Sequence, residues 1–170
     1  MDDPNPEEEA AHPLSGVMQF WDDVVGDAEA TAEEYREAGW DVVELHPGDV
    51  TPVPAMLDAE PSAEYGLNVL VPGDEFDTVE DIVGTAEFDS YDAYRAERGG
   101  TVFLVVAMLA EESGRAVTIP MYYRTKEAAP MLERAADAGE MRVIVRPLSN
   151  DKRVVFEQRD PDSLFPEEGA

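Results

Sequence analysis

A chain of 170 residues with 39 acidic and 12 basic side chains, a formal net charge of −27 and no cysteine excludes several classes of protein at once. Disulfides and thiolate metal sites are ruled out, and without a basic patch nothing releases counterions from nucleic-acid phosphates. No run reaches the ~18–20 apolar residues of a membrane span, and the length suits one domain that buries roughly 68–70% of its unfolded surface.

Residues 1–14 (MDDPNPEEEAAHPL) are acidic and proline-rich and predict a disordered tail. Ser15 caps an expected helix to about Ala38, stopped by Gly39. Its apolar stripe is Val17, Phe20, Trp21, Val24, Ala28, Ala32 and Tyr35, set against a solvated acidic face. Trp40–Leu45 reads as a short strand. The stretch from His46 to Pro61, with Pro52, Pro54 and Pro61, is too broken for regular structure beyond a turn at Ala55–Ala59. Leu67–Val71 is a strand that turns at Pro72-Gly73 into a helix over Glu75–Val83.

Phe88–Arg98 pairs with Thr101 onward across Gly99-Gly100, a dipeptide suited to a tight hairpin turn. Thr101–Arg124 (TVFLVVAMLAEESGRAVTIPMYYR) then forms a second hairpin about Ser113-Gly114, the hydrophobic centre of the chain. A buried helix is the competing reading of TVFLVVAML, because periodicity alone cannot decide so short a run. A helix over Lys126–Ala138 follows, with Pro130 as a blemish in it. Met141–Pro147 and Arg153–Glu157 close the chain as a hairpin, before an acidic tail over 160–170. The expectation is one α+β domain over 15–159: a single curved, mainly antiparallel sheet with its meander at about 90–124 and helices mainly on one face.

The acids are spread along the chain, and only Lys126 and Lys152 are lysines. Such a charge repels itself in dilute buffer, whereas at ~1 M salt the Debye length shrinks to ~3 Å. Acidic, lysine-poor and still 44% hydrophobic, the chain resembles an uncharacterised protein family of salt-loving archaea. That resemblance implies a cytoplasm with molar potassium and hydrated potassium or sodium at the surface. It implies no activity.

The chemistry-bearing patterns are sparse. Two histidines, no G-x-S-x-G and no Walker or dinucleotide glycine motif leave no template for hydrolysis or nucleotide chemistry, and no cofactor is expected. The strand order also resembles acyl-CoA-dependent acetyltransferases, but the turn that should hold the pyrophosphate reads Arg124-Thr125-Lys126-Glu127-Ala128-Ala129, without glycine. His46 and Asp49 offer two metal ligands at most, and a loop histidine is the simpler reading. Asp74, Glu75 and Asp77 occupy a helix start as caps, where phosphate would be repelled.

One cluster remains: Tyr122, Tyr123, Arg124, Thr125 and Lys126, two aromatics and two of the twelve basic residues at a strand-to-helix junction. It is the candidate site for a small anionic ligand, with sheet packing and charge neutralisation as the plainer explanation. The leading expectation is a non-enzymatic cytoplasmic binding or interaction domain, open to homodimerisation through a sheet edge. Alternatives are an enzyme acting on a small anionic substrate through scattered polar residues, and an acidic mimic of nucleic acid. Neither direct nucleic-acid binding nor membrane insertion is expected.

Overall fold

The computed structural model describes residues 13–55, 64–149 and 151–166. In chain order these form α1 (Pro13–Glu37), β1 (Asp41–Glu44), β2 (Asp49–Val53), β3 (Gly66–Val71), α2 (Gly73–Val83), β4 (Ser90–Arg98), β5 (Thr101–Ala110), β6 (Arg115–Arg124), α3 (Ala129–Ala138), β7 (Glu140–Pro147), β8 (Val154–Arg159) and a 3₁₀ turn, Pro161–Leu164. The class is α+β. The expected tail over residues 1–14 falls almost wholly outside the described residues.

The strands divide between two open four-stranded sheets instead of forming one. The first has the order β1-β6-β5-β4, the second β2-β3-β7-β8. Each is mixed: β1 runs parallel to β6 and β3 parallel to β7, and the other pairs are antiparallel. The chain changes sheet three times, between β1 and β2, through α2 between β3 and β4, and through α3 between β6 and β7.

The central hairpin explains the layering. Every residue of β5 is buried, so both of its faces must be covered. Val102, Leu104, Val106 and Met108 join Val117, Ile119, Met121 and Tyr123 of β6 in the main core. That core also holds Leu67, Val69, Val143, Val145 and Phe156 of the second sheet, with Phe76 and Val79 of α2 and Met131 and Ala135 of α3. The alternate residues Phe103, Val105, Ala107 and Leu109 pack in two smaller clusters against Val24, Ala28 and Ala32 of α1. Period 2 in the strands and period 3.6 in the helix thus meet at one surface.

Three local expectations change. β2 lies inside the proline-punctuated stretch and pairs with β3 from Asp49↔Leu70 to Val53↔Gly66. As an edge strand it tolerates Pro52. The helix after β6 starts at Ala129, not Lys126, and Pro130 sits in its first turn, where a missing N–H costs nothing. The 3₁₀ turn inside the expected C-terminal tail buries Pro161 and Leu164.

Gly66 sets how closely β3 and β7 approach. Its φ is +138°, and a Cβ there would fall on the Arg142 carbonyl. Only glycine fits this register.

Candidate binding surface

β6 separates the expected cluster. Tyr122 faces α1, its ring edge-on to Trp21 at 5.2 Å between centroids and tilted against Phe103 at 6.5 Å. Burial raises its phenol pKa, and the charges of Asp49 and Glu127 add to the shift. Tyr123 points into the main core, 1% exposed, and donates to the Leu164 carbonyl at 2.6 Å. Burial holds this phenol far above its ordinary value, with Glu97 adding and Arg95 opposing. Arg124, the last residue of β6, and Lys126, on the turn that follows, are exposed.

Thr125 does not cap α3: the N-cap is Ala128, and no side chain caps it. The Thr125 amide instead donates to the Gly100 carbonyl at 2.9 Å, closing the sheet behind the hairpin turn. The five residues therefore do not converge on one pocket, and the tyrosines serve two different packing layers.

A different surface gathers exposed aromatic area at a sheet edge. β4 is an edge strand of nine residues, paired with β5 without interruption from Ser90↔Leu109 to Arg98↔Thr101. Gly99 and Gly100 both have positive φ, as a two-residue I′ turn requires. That turn closes on a hydrogen-bonded Arg98–Thr101 pair. The even-numbered residues of β4 therefore direct their N–H and C=O groups to β5, and Tyr91, Ala93, Arg95 and Glu97 direct theirs outward. Among the described residues, no backbone–backbone hydrogen bond reaches the outward groups of Tyr91 and Ala93.

The side chains of β4 alternate between two environments. Tyr91, Ala93 and Arg95 lie on the inner side. The Tyr91 hydroxyl donates to the carbonyls of Arg159 and Asp160, each at 3.0 Å, and Arg95 donates to those of Asp162 and Phe165 at 3.0 and 2.8 Å. These bonds strap the 3₁₀ turn across the strand. On the other side Tyr94 is 56% exposed. A groove of about 360 Å³ runs there between β4 and α1, floored by Phe103 and Val105 and walled by Phe20, Val24 and Tyr94. Arg98 lies over the Phe20 ring at 4.5 Å.

The other edges of the two sheets are shorter. β1 has four residues, β2 has five including Pro52, and β8 has six. Short length and proline are the usual means of blunting an edge. β4 has neither.

A larger, polar cleft of about 720 Å³ lies between the end of α2, the start of β4 and β8, lined by Val83, Phe88, Asp89, Tyr91, Phe156 and Arg159 among others. Phe88 and Phe156 meet edge-on inside it at 5.6 Å. His46 is fixed by the helix it precedes: its amide and its Nδ1 each lie 2.7 Å from the Glu75 carboxylate. Among the described residues no group of three or more His, Asp or Glu side chains gathers to hold a metal. No helix among them is long and apolar enough to cross a membrane.

Sequence reasoning missed β4 as a surface because its pattern, SYDAYRAER, reads only as a loosely alternating strand. The length of that alternation without proline was the available signal. A family model described as a family of unknown function (DUF7529) matches residues 7–166. No curated protein and no solved structure matches the chain.

Proposed function

The chain belongs to this family of unknown function, which brings no activity with it, and we propose that it is a non-enzymatic interaction domain that receives an extended polypeptide along β4. The observation that carries this reading is the edge position of the nine-residue strand β4, open at Tyr91 and Ala93, beside an exposed tyrosine and an apolar groove. Strand addition supplies affinity through the main chain and specificity through alternate side-chain pockets. Here the outward backbone groups of Tyr91 and Ala93 supply the first, and the Tyr94 groove supplies the second. We keep the cytoplasm of a salt-loving cell as the proposed setting, on the strength of the −27 charge. In molar salt such a surface meets a partner without long-range repulsion.

The test is a display selection of random peptides in molar KCl, against the wild type and against Ala93→Pro, which lacks one outward N–H. Peptides enriched on the wild type and lost on the variant support the reading. Enrichment that ignores the variant, or none at all, contradicts it. A thermal-shift screen of nucleotides, acyl-CoAs and small carboxylates addresses the enzyme alternative, for which the 720 Å³ cleft is the available volume. A true ligand at 100 times its dissociation constant adds about 2.7 kcal/mol, and a flat response across the screen agrees with the interaction reading.

A further inference from the structure

We infer that the outer face of the second sheet carries a binding site for a small carboxylate with a short apolar body, built on Arg146. This site goes beyond the β4 reading and does not rest on it.

Strand register places the site. Arg146 of β7 lies beside Leu70 of β3, and Asn68 lies two residues back along β3. Val69, Val71, Val143 and Val145 take the core face of these two strands. Asn68, Leu70 and Arg146 therefore share the opposite face. There they line a cavity of about 390 Å³ together with Pro147, Ser149 and Asp151, a volume suited to a small molecule.

Arg146 is the residue that points to a ligand. Its Nε is buried without a hydrogen-bond partner. Elsewhere Arg36, Arg142 and Arg153 pair with Glu44, Glu140 and Glu64. Among the described residues no carboxylate pairs with Arg146, in a chain with 39 acidic side chains. A buried donor is ordinarily satisfied, so this one calls for an acceptor from outside the chain. A guanidinium presents Nε–H and an Nη–H side by side, at the spacing that two carboxylate oxygens accept together. The Asn68 amide, on the same face, offers a neutral donor beside it.

The rest of the lining narrows the class. Asp151 stands in the same cavity within a chain of net charge −27. Its carboxylate opposes a multiply charged anion such as phosphate more strongly than a single carboxylate. Leu70 and Pro147 supply apolar wall, and Leu148 of the same lining is 80% exposed. A monocarboxylate with an aliphatic body uses both the guanidinium and these apolar groups, whereas a bare inorganic anion uses only the first.

The test follows the Arg146 Nε–H resonance by NMR while potassium isovalerate is titrated into the wild type in molar KCl. A saturable shift of that signal and of the Asn68 side-chain amide is expected. Isovaleramide keeps the body and loses the charge, and it should bind at least ~10-fold more weakly, as should inorganic phosphate. By calorimetry, Arg146→Met should weaken isovalerate binding at least ~10-fold, and Asp151→Asn should tighten it. Circular dichroism confirms that both variants are folded. An Nε–H signal that does not move overturns the site, and so does isovaleramide or phosphate bound as tightly as isovalerate. Isovalerate binding that survives Arg146→Met also overturns it, and then belongs to another cavity, such as the 720 Å³ cleft.

Discussion

The Tyr35 hydroxyl donates to Asp92 Oδ2 at 2.5 Å, tying the last turns of α1 to the exposed side of the edge strand β4. Burial comes first in raising the Tyr35 pKa well above its ordinary value, and the Asp92 bond and charge add to it. The contact joins α1 and β4, the two elements that flank the groove at Tyr94, and Trp40 backs the Tyr35 ring edge-on at 5.6 Å.

Tyr35→Phe keeps the ring packing and removes this bond. Because the bond is solvent-accessible, the expected loss is about 1 kcal/mol. It should appear as a lower denaturant midpoint at unchanged m-value, with faster amide exchange confined to β4. A global loss several times larger would show that Tyr35 acts through the core.

Gly66→Ala should cost far more. The new Cβ needs φ near +138° and meets the Arg142 carbonyl, so strain and overpacking together should remove about 2–5 kcal/mol. Thermal unfolding measures this. A Gly66→Ala protein as stable as the wild type would contradict the close β3–β7 register.

How much of this was legible beforehand follows from what each residue reports. The β4–β5–β6 meander was readable because Gly99-Gly100 and Ser113-Gly114 are turn signals and the run between them is apolar on both faces. The partition into two sheets was not. Alternation in Leu67–Val71 or Met141–Pro147 shows that one face is apolar, but not which other strand that face meets. β2 was hidden because Pro52 removes a donor and argues against a strand, yet the strand is an edge and the outward-facing donor is unneeded. The expected site at Tyr122–Lys126 joined neighbours in sequence, and a strand turns neighbours to opposite faces: Tyr122 packs on Trp21 and Tyr123 bonds to Leu164. The β4 edge was unreadable as a surface because its place at the sheet's edge depends on strand order.

Alkaline pH supplies a third check. Tyr35, Tyr65, Tyr91, Tyr122 and Tyr123 all have pKa values raised above 10.0 in the folded state, burial being the first cause in each. The folded chain therefore holds phenol protons that the unfolded chain releases. The stabilisation is fully present below pH ~10 and is lost as pH rises beyond it. Ultraviolet titration should show most tyrosines ionising together with unfolding. Independent ionisation of all six near pH ~10 in a chain that stays folded would contradict their burial.

Salt should act in the opposite sense to pH. With 39 acidic against 12 basic residues, raising salt from ~0.1 M to ~1 M cuts the Debye length from ~10 Å to ~3 Å and removes most of the self-repulsion. The melting temperature should climb steeply with KCl and then flatten. A chain equally stable in dilute buffer would remove the basis for a high-salt setting.

The measurement closest to the central claim is residue-resolved amide exchange of β4 in molar KCl, with and without a peptide selected on the wild type. The interaction reading predicts that the outward amides of Tyr91 and Ala93 gain protection when the peptide binds, while Val155 on the β8 edge keeps a constant rate. Amides of Tyr91 and Ala93 that exchange at one rate with and without the peptide would contradict the claim that this edge is the working surface.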